Sequence, residues 1–279
     1  QIISSWITDA IIGSIIFLVG AVIVVEILNF IVRKYPRKWQ ALVASFLIVS
    51  LIFLIYITPL VIHPLFNKFT PVESGELKDA ISDVSNKSGY TINNVFIMDS
   101  SKRTVVPDAY VRGIFGSTRV VLSDTLVDKA TIPEIKVGVA HEVAHAKFNH
   151  WWLIIFYTSI EIIVGVFVFN LIFNKIKRKF GVEDISDIRG LPIILLILIL
   201  ISLVCMPINN TISREMIESP ADRFALEVTH DPDSVISLYL NVSMDIGLGP
   251  SNPNPIVEFL FYTHPPPLKR IDMAMEYYK

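Results

Sequence analysis

Residues 141–145 spell His-Glu-Val-Ala-His, the pattern H-E-x-x-H. On a helix the two histidines lie four residues apart on one face, so both imidazoles can bind one metal ion. Zinc accepts imidazole nitrogen readily, and a catalytic zinc has three protein ligands and one open position. Glu142 lies next to the first histidine and can act as a general base toward a water at that position. The spacing therefore predicts a hydrolytic zinc centre that uses His141, Glu142 and His145.

A third protein ligand must come from elsewhere in the chain. His150 is the nearest candidate, but it misses by one residue the extended H-E-x-x-H-x-x-G-x-x-H spacing. Glu218 is the better candidate, because Glu218 and Asp222 would share one face of a helix. Glu218 could then bind zinc while Asp222 accepts the outer N–H of a ligating histidine. Without other information, a solvated acidic helix face remains the simpler interpretation of this pair.

The residues around the pentapeptide predict the elements that position it. Thr131 can cap a helix, Pro133 fits its first turn, and Glu134 places negative charge near the positive end of the helix. Upstream, amphipathic and β-rich runs predict a small α+β unit, with a helix at 76–88, strands at 94–98 and 119–122, and extended chain at 105–114.

The composition is that of a membrane protein. Of 279 residues, 52% are hydrophobic, and the mean hydropathy is +0.56, above that of an ordinary soluble domain. The net charge of -2 gives no indication of a nucleic-acid partner. Apolar runs long enough to cross a bilayer lie at about 11–32, 41–62, 152–173 and 191–208.

These patterns together predict a mainly α membrane protein with four transmembrane helices and a small α+β zincin-like catalytic unit. The catalytic unit would be split around transmembrane helices three and four. The chain begins at Gln1, and the sequence leaves open whether a segment precedes it. The predicted domains are two transmembrane helices at 1–62, the first catalytic half at 63–151, transmembrane helices three and four at 152–208, and the second catalytic half at 209–279.

Further motifs occur in order along the chain. They lie at 59–71 (PLVIHPLFNKFTP), 101–103, 108–110, 119–126, 141–150, 218–222 (E-x-x-A-D) and 264–266, followed by Arg270. From about Tyr35 to the C-terminus the chain resembles the CAAX prenyl protease type 1 family, which are integral-membrane zinc metalloproteases of the gluzincin kind. The four-span organisation resembles instead the bacterial heat-shock membrane metalloproteases, a sister family.

The resemblance implies roles for the metal-site residues. It implies that His141, His145 and Glu218 bind one zinc ion per chain and that Glu142 is the catalytic base. It also implies that Asp222 supports a ligating histidine from outside the metal's own coordination sphere.

The resemblance further implies residues that act on the substrate. His264 is similar to a histidine that stabilises the tetrahedral intermediate, and Arg270 to a residue that braces the site. Asp108, Ala109 and Tyr110 resemble an Asn-Ala-Tyr edge strand along which the substrate lies, a form of β-augmentation.

Three features depart from the family pattern or strain it. Asp108 stands where the family has Asn. The Ser213-Arg214 pair lies one residue farther from Glu218 than the family's Ser-Arg pair. Pro220 would destabilise a helix by roughly 3 kcal/mol if it lay in the helix interior. The alternative is that it lies in the first turn of a helix.

The sequence therefore predicts an integral-membrane zinc metalloendopeptidase that resembles CAAX prenyl proteases. Two alternatives remain open: a quality-control protease of the heat-shock type that cleaves membrane proteins, and an inactive binding scaffold. Its partners would be the lipid bilayer and a peptide or protein substrate, lipidated or membrane-bound in the first hypothesis.

Charge and resemblance disagree about sidedness. The loops at 33–40 and 174–190 are rich in Lys and Arg and lie opposite the catalytic halves. The positive-inside rule would place the catalytic unit outside the cell, whereas the resemblance implies a cytosolic active site. We expect a multi-pass protein of the cell membrane whose catalytic side is cytosolic.

Overall fold

The structure is a computed structural model that describes residues 2–114, 117–246 and 251–278. The chain divides into two compact units, and each consists of two separate stretches. One unit comprises 1–66 and 152–205, and the other 67–151 and 206–279.

The described residues form long helices, shorter helices and one small sheet. In chain order the helices are α1 (Ile2–Lys34), α2 (Trp39–Ile57), α3 (His63–Phe66), α4 (Glu76–Ser88), α5 (Asp124–Lys129), α6 (Ile132–Lys147), α7 (His150–Ile176), α8 (Leu191–Ile212), α9 (Ser219–Thr229), α10 (Pro232–Ile246), α11 (Pro255–Phe261) and α12 (Pro267–Glu276). The strands are β1 (Phe69–Pro71), β2 (Asn94–Met98), β3 (Ala109–Ile114) and β4 (Ser117–Ser123).

Four helical segments among the described residues are long and apolar enough to cross a membrane, and they comprise most of α1 and all of α2, α7 and α8. Their large apolar side chains are widely exposed; Phe17, for example, is 73% exposed. Such exposure suits contact with lipid rather than water. The prediction of four transmembrane helices is confirmed.

The sheet has the strand order β1-β2-β4-β3. β2 and β4 are parallel, with Val95 opposite Val120, and the outer strands pair antiparallel to them. β3 is thus an edge of this sheet. The predicted strands lie at β2 and within β4, and the chain expected to be extended at 105–114 contains β3.

α6 is the central helix of the second unit and packs against α4, α9, α10 and β3. Its start confirms the predicted cap: Thr131 and Glu134 form a capping box, and Pro133 lies in the first turn. Val139, Ala140, Val143 and Ala144 on this helix are fully buried. Dense packing on all these sides fixes the rotation of α6 and hence the direction of its polar side chains.

Wide π-turns precede two of the prolines. Thr58–Ile62 ends with a bond from the His63 N–H to the Thr58 carbonyl, and Pro64 follows. Ser213–Glu218 ends in the same way one residue before Pro220. The extra residue in each turn makes room for a proline ring that an unbroken α-helix would exclude. Pro220 therefore lies in the first turn of α9, the less costly of the two predicted positions.

Candidate metal centre and active site

α6 presents its two motif histidines on one face. The Nε2 atoms of His141 and His145 are 3.1 Å apart, and the ring centroids are 4.8 Å apart. The Glu142 carboxylate belongs to the same cluster, in which one ligand atom from each of the three residues lies within 4.8 Å of the others. The H-E-x-x-H pattern thus forms a convergent donor cluster within the second unit.

Glu218 completes this cluster from the π-turn before α9. Its Oε2 lies 3.2 Å from His141 Nε2 and 3.8 Å from His145 Nε2. The residue is 7% exposed, and within the described part of the chain Oε2 is buried without a well-oriented hydrogen bond. A buried carboxylate oxygen in this condition is costly unless another group, such as a cation, compensates it.

The geometry fits a tetrahedral metal ion. Donors about 2.0–2.1 Å from a zinc at tetrahedral angles would be about 3.3 Å apart. The three distances among His141 Nε2, His145 Nε2 and Glu218 Oε2 are 3.1, 3.2 and 3.8 Å. Two imidazoles and one carboxylate are also the donor set typical of catalytic zinc.

Asp222 holds His141 from the other side. Its Oδ1 lies 2.9 Å from His141 Nδ1, and a carboxylate can only accept, so Nδ1 carries the proton and donates. This leaves Nε2 directed at the donor cluster. Arg270 donates to both Asp222 oxygens, from Nε at 2.8 Å and from Nη2. The structure therefore brings Asp222 and Arg270 together beside the predicted ligands.

Tyr239 on α10 is a contact that the sequence did not suggest. Its hydroxyl donates to Asp222 Oδ1 at 3.0 Å, and the Arg270 guanidinium lies 3.8 Å from the centre of its ring. Tyr239 is 7% exposed and shares an apolar helix face with Val235 and Leu238. By its spacing it is an ordinary core residue, and no sequence signal distinguishes it.

Burial and neighbouring charges shift the protonation of the cluster. Burial raises the pKa of Glu142 to about 7, which suits a group that must take up and release a proton near neutral pH. Burial lowers the pKa of His145 to about 3, so this imidazole is neutral. Burial also disfavours a charged His141, but Asp222 and Glu218 outweigh it and raise that pKa to about 10. A metal at Nε2 would take the place of the second proton there.

His264 approaches the cluster from the loop between α11 and α12. Its Nε2 lies 3.1 Å from Glu218 Oε2, and its side chain is 53% exposed. Arg214, which is buried, donates to the carbonyls of Glu258 and Tyr262 and so fixes the end of α11 just before His264. The π-turn contains both Arg214 and Glu218. Its added residue accommodates the spacing between them, which is one residue longer than in the family pattern.

The edge strand β3 packs against α6. Asp108 precedes it and pairs with Ser123: its carbonyl accepts from the Ser123 N–H, and its N–H donates to the Ser123 hydroxyl, both at 2.8 Å. In the antiparallel register that follows, Ala109 and Val111 direct their backbone N–H and C=O groups away from β4. Tyr110, which lies between them, directs its backbone N–H and C=O groups toward β4.

The candidate ligand His150 and the acidic neighbour Glu215 both lie outside the cluster of donor nitrogens and oxygens. His150 is buried, but its Nδ1 lies 2.9 Å from His145 Nδ1, the ring nitrogen of His145 that faces away from the donor cluster. Glu215 has a side chain that is 61% exposed and lies 3.3 Å from Arg214 Nε. The structure thus favours Glu218 over both as the third donor.

Two family models match most of this chain. Residues 71–277 match the family described as peptidase family M48. The chain belongs to this family. Residues 1–68 match a second family, described as CAAX prenyl protease N-terminal, five membrane helices. With its four apolar helices, this M48 protein is an integral multi-pass membrane protein.

Individual relatives support the same assignment. An uncharacterized metalloprotease, YhfN of Bacillus subtilis, is 26% identical over 98% of this chain and 65% of its own length. CAAX prenyl protease 1 of Saccharomyces cerevisiae is 35% identical over 62% of this chain and 38% of its own. A crystal structure of Ste24p from S. mikatae has a TM-score of 0.84 and 26% identity, and the match covers 98% of this chain and 67% of that one. The chain thus spans less than two thirds of the length of these two curated relatives.

Proposed function

We propose that this M48 protein is a zinc-dependent membrane metalloendopeptidase. The triangle formed by His141 Nε2, His145 Nε2 and Glu218 Oε2 is the observation that supports it, because these donors converge at the spacing of a tetrahedral ion. Zinc is favoured by the two imidazoles and single carboxylate. Zinc, when bound, lowers the pKa of a coordinated water toward ~7 and polarises the scissile carbonyl.

The chain's own residues perform the proton transfers. Glu142 takes a proton from the attacking water and returns it to the leaving amine, a task suited to its raised pKa of about 7. His264 donates a hydrogen bond to the oxyanion of the tetrahedral intermediate. Asp222, held by Arg270, keeps the His141 Nε2 free for the metal.

The substrate we propose is the C-terminal region of a lipidated peptide or protein, which lies along β3 as an added strand. The curated relatives named CAAX prenyl protease 1 support this class over the cleavage of misfolded membrane proteins. We also propose the cell membrane as the location and the cytosol as the catalytic side. Cleavage of a prenylated peptide, but not of the same peptide without the prenyl group, would support this substrate class.

Replacing Glu142 by Gln tests the proposal. The glutamine keeps the size of the side chain but removes the base, so turnover of a quenched peptide should fall at least about 10²-fold. Both imidazoles remain, so bound zinc should stay near one ion per chain. The measurement is steady-state cleavage, with zinc quantified on the same detergent-solubilised preparations.

Glu227→Gln is the matched control, because Glu227 is an exposed residue on α9 of the same unit. It should keep both zinc and turnover. Near-normal cleavage by the Glu142→Gln protein would overturn the mechanism. A parent protein that cleaves nothing although it holds zinc would favour the inactive scaffold.

A further inference from the structure

His150 is a buried histidine at the metal centre for which the proposed mechanism has no use. It is 5% exposed, and its Nδ1 lies 2.9 Å from His145 Nδ1. The two ring centroids are 5.0 Å apart, at an interplanar angle of 68°. An edge-on contact between two ring nitrogens at this distance is a hydrogen bond.

The turn between α6 and α7 produces this contact. α6 ends at its cap Phe148, and Asn149 adopts a left-handed conformation with φ of 56°. Asn tolerates this conformation better than most residues. α7 then begins at His150, and the reversal returns its ring to the preceding turn of α6. Phe148 packs on Phe224, with ring centroids 5.2 Å apart, and anchors the turn.

Counting protons assigns the direction of the hydrogen bond. His145 Nε2 faces His141 Nε2 at 3.1 Å and Glu218 Oε2 at 3.8 Å, so it is the nitrogen available to a metal. A ligating nitrogen carries no proton, so the proton of neutral His145 must be on Nδ1. His145 Nδ1 therefore donates, and His150 Nδ1 accepts.

We infer that His150 is a positioning residue that holds His145 in the tautomer and orientation needed to bind the metal. This inference rests on the proposed metal site. The two ligating histidines would then be supported differently: His141 by the carboxylate of Asp222, and His145 by a neutral imidazole. A neutral partner orients the ring without adding a further negative charge beside the carboxyl groups of Glu142, Glu218 and Asp222.

Three substitutions at position 150 separate hydrogen bonding from packing. His150→Asn places an amide oxygen near the position of Nδ1 and keeps an acceptor there. His150→Gln carries its amide one bond farther out, and His150→Leu offers no acceptor. Loss of such an outer partner typically costs 10–100-fold in metal affinity. We therefore expect Leu and Gln to weaken zinc binding by about that factor and Asn to stay within about threefold of the parent.

The experiment measures the zinc dissociation constant of the full-length protein in detergent by competition with a chromophoric chelator. Thermal unfolding of the metal-free proteins reports on folding. His230→Asn is the control, because His230 contacts Tyr277 rather than the donor cluster and has a left-handed conformation that Asn accepts. If the His150→Leu protein does not fold, the zinc affinities of the Asn and Gln variants are sufficient to test the inference.

Two results would overturn the inference. Zinc affinity of the Gln protein within about threefold of the parent would show that His145 needs no acceptor. Equal weakening by Asn, Gln and Leu would show that the imidazole acts through packing. A parent protein that binds no zinc would instead remove the proposed function, so the two failures are distinguishable.

Discussion

Asp222 accepts hydrogen bonds from residues on three other helices. His141 on α6, Tyr239 on α10 and Arg270 on α12 all donate to this carboxylate on α9. The residue is 3% exposed, so these donors replace the water that its charge would otherwise need. A single buried carboxylate thus fixes the tautomer of a candidate ligand and joins α9 to the three other helices that contact it.

His264 provides a residue-scale prediction. If it donates to the oxyanion, its effect belongs to the transition state, and His264→Ala should lower kcat by about 10²–10³. Zinc content and KM should change little. The measurement is steady-state cleavage of a quenched peptide with zinc quantified in parallel. His230→Asn should change neither quantity, whereas a kcat for His264→Ala within about threefold of the parent would make His264 structural.

The sequence can predict some residues of the candidate site and not others. Helical spacing predicts His141, Glu142 and His145, because both the residue types and their separation along a helix can be read from the sequence. Tyr239 and His150 do not follow. Tyr239 lies on an apolar helix face, and the role of His150 depends on a chain reversal set by one left-handed residue, Asn149.

β3 is an element whose role depends on its place at the sheet edge. Its register directs the backbone of Ala109 and Val111 away from β4. β3 also packs against α6, which bears Glu142. A peptide added along this edge would gain main-chain hydrogen bonds next to the candidate centre, which is the usual source of affinity in β-augmentation.

Ala109→Pro tests this arrangement. Proline removes an outward N–H without breaking a bond to β4, and edge strands tolerate it. The loss of one hydrogen bond of about 0.5–1.5 kcal/mol should lower kcat/KM about 2–12-fold. Zinc content should be unchanged. Ala109→Ser keeps the N–H and should match the parent; equal activity of the Pro and Ser proteins would mean that substrate does not pair with this edge.

At the element scale, local sequence predicts helices and strands better than their junctions. The helix cap at Thr131, the bounds of α4 and strand β2 all lie where predicted. The π-turn at 213–218 was not predicted. The sequence shows only a proline after a helix, and tertiary packing decides that the helix continues as far as this proline. That turn places Glu218, so the sequence alone could not establish the geometry of the third donor.

At the scale of the whole molecule, one compact unit is assembled from residues 67–151 and 206–279. His141 and Glu218 come from different stretches, and the apolar parts of α7 and α8 lie between them in sequence. A centre that depends on both stretches forms only when they fold together. Composition and span length predict the membrane helices, but which distant residues meet depends on packing that no local pattern encodes.

Anomalous diffraction at the zinc edge, from crystals of the protein purified in detergent, tests the proposed zinc centre. We expect one zinc peak per chain in the second unit, about 2.0–2.2 Å from His141 Nε2, His145 Nε2 and a Glu218 carboxylate oxygen. His150 should then lie outside the ligand set and contact His145. A peak bound by His150 or Glu215 instead of Glu218, or no peak between the two motif histidines, would contradict it.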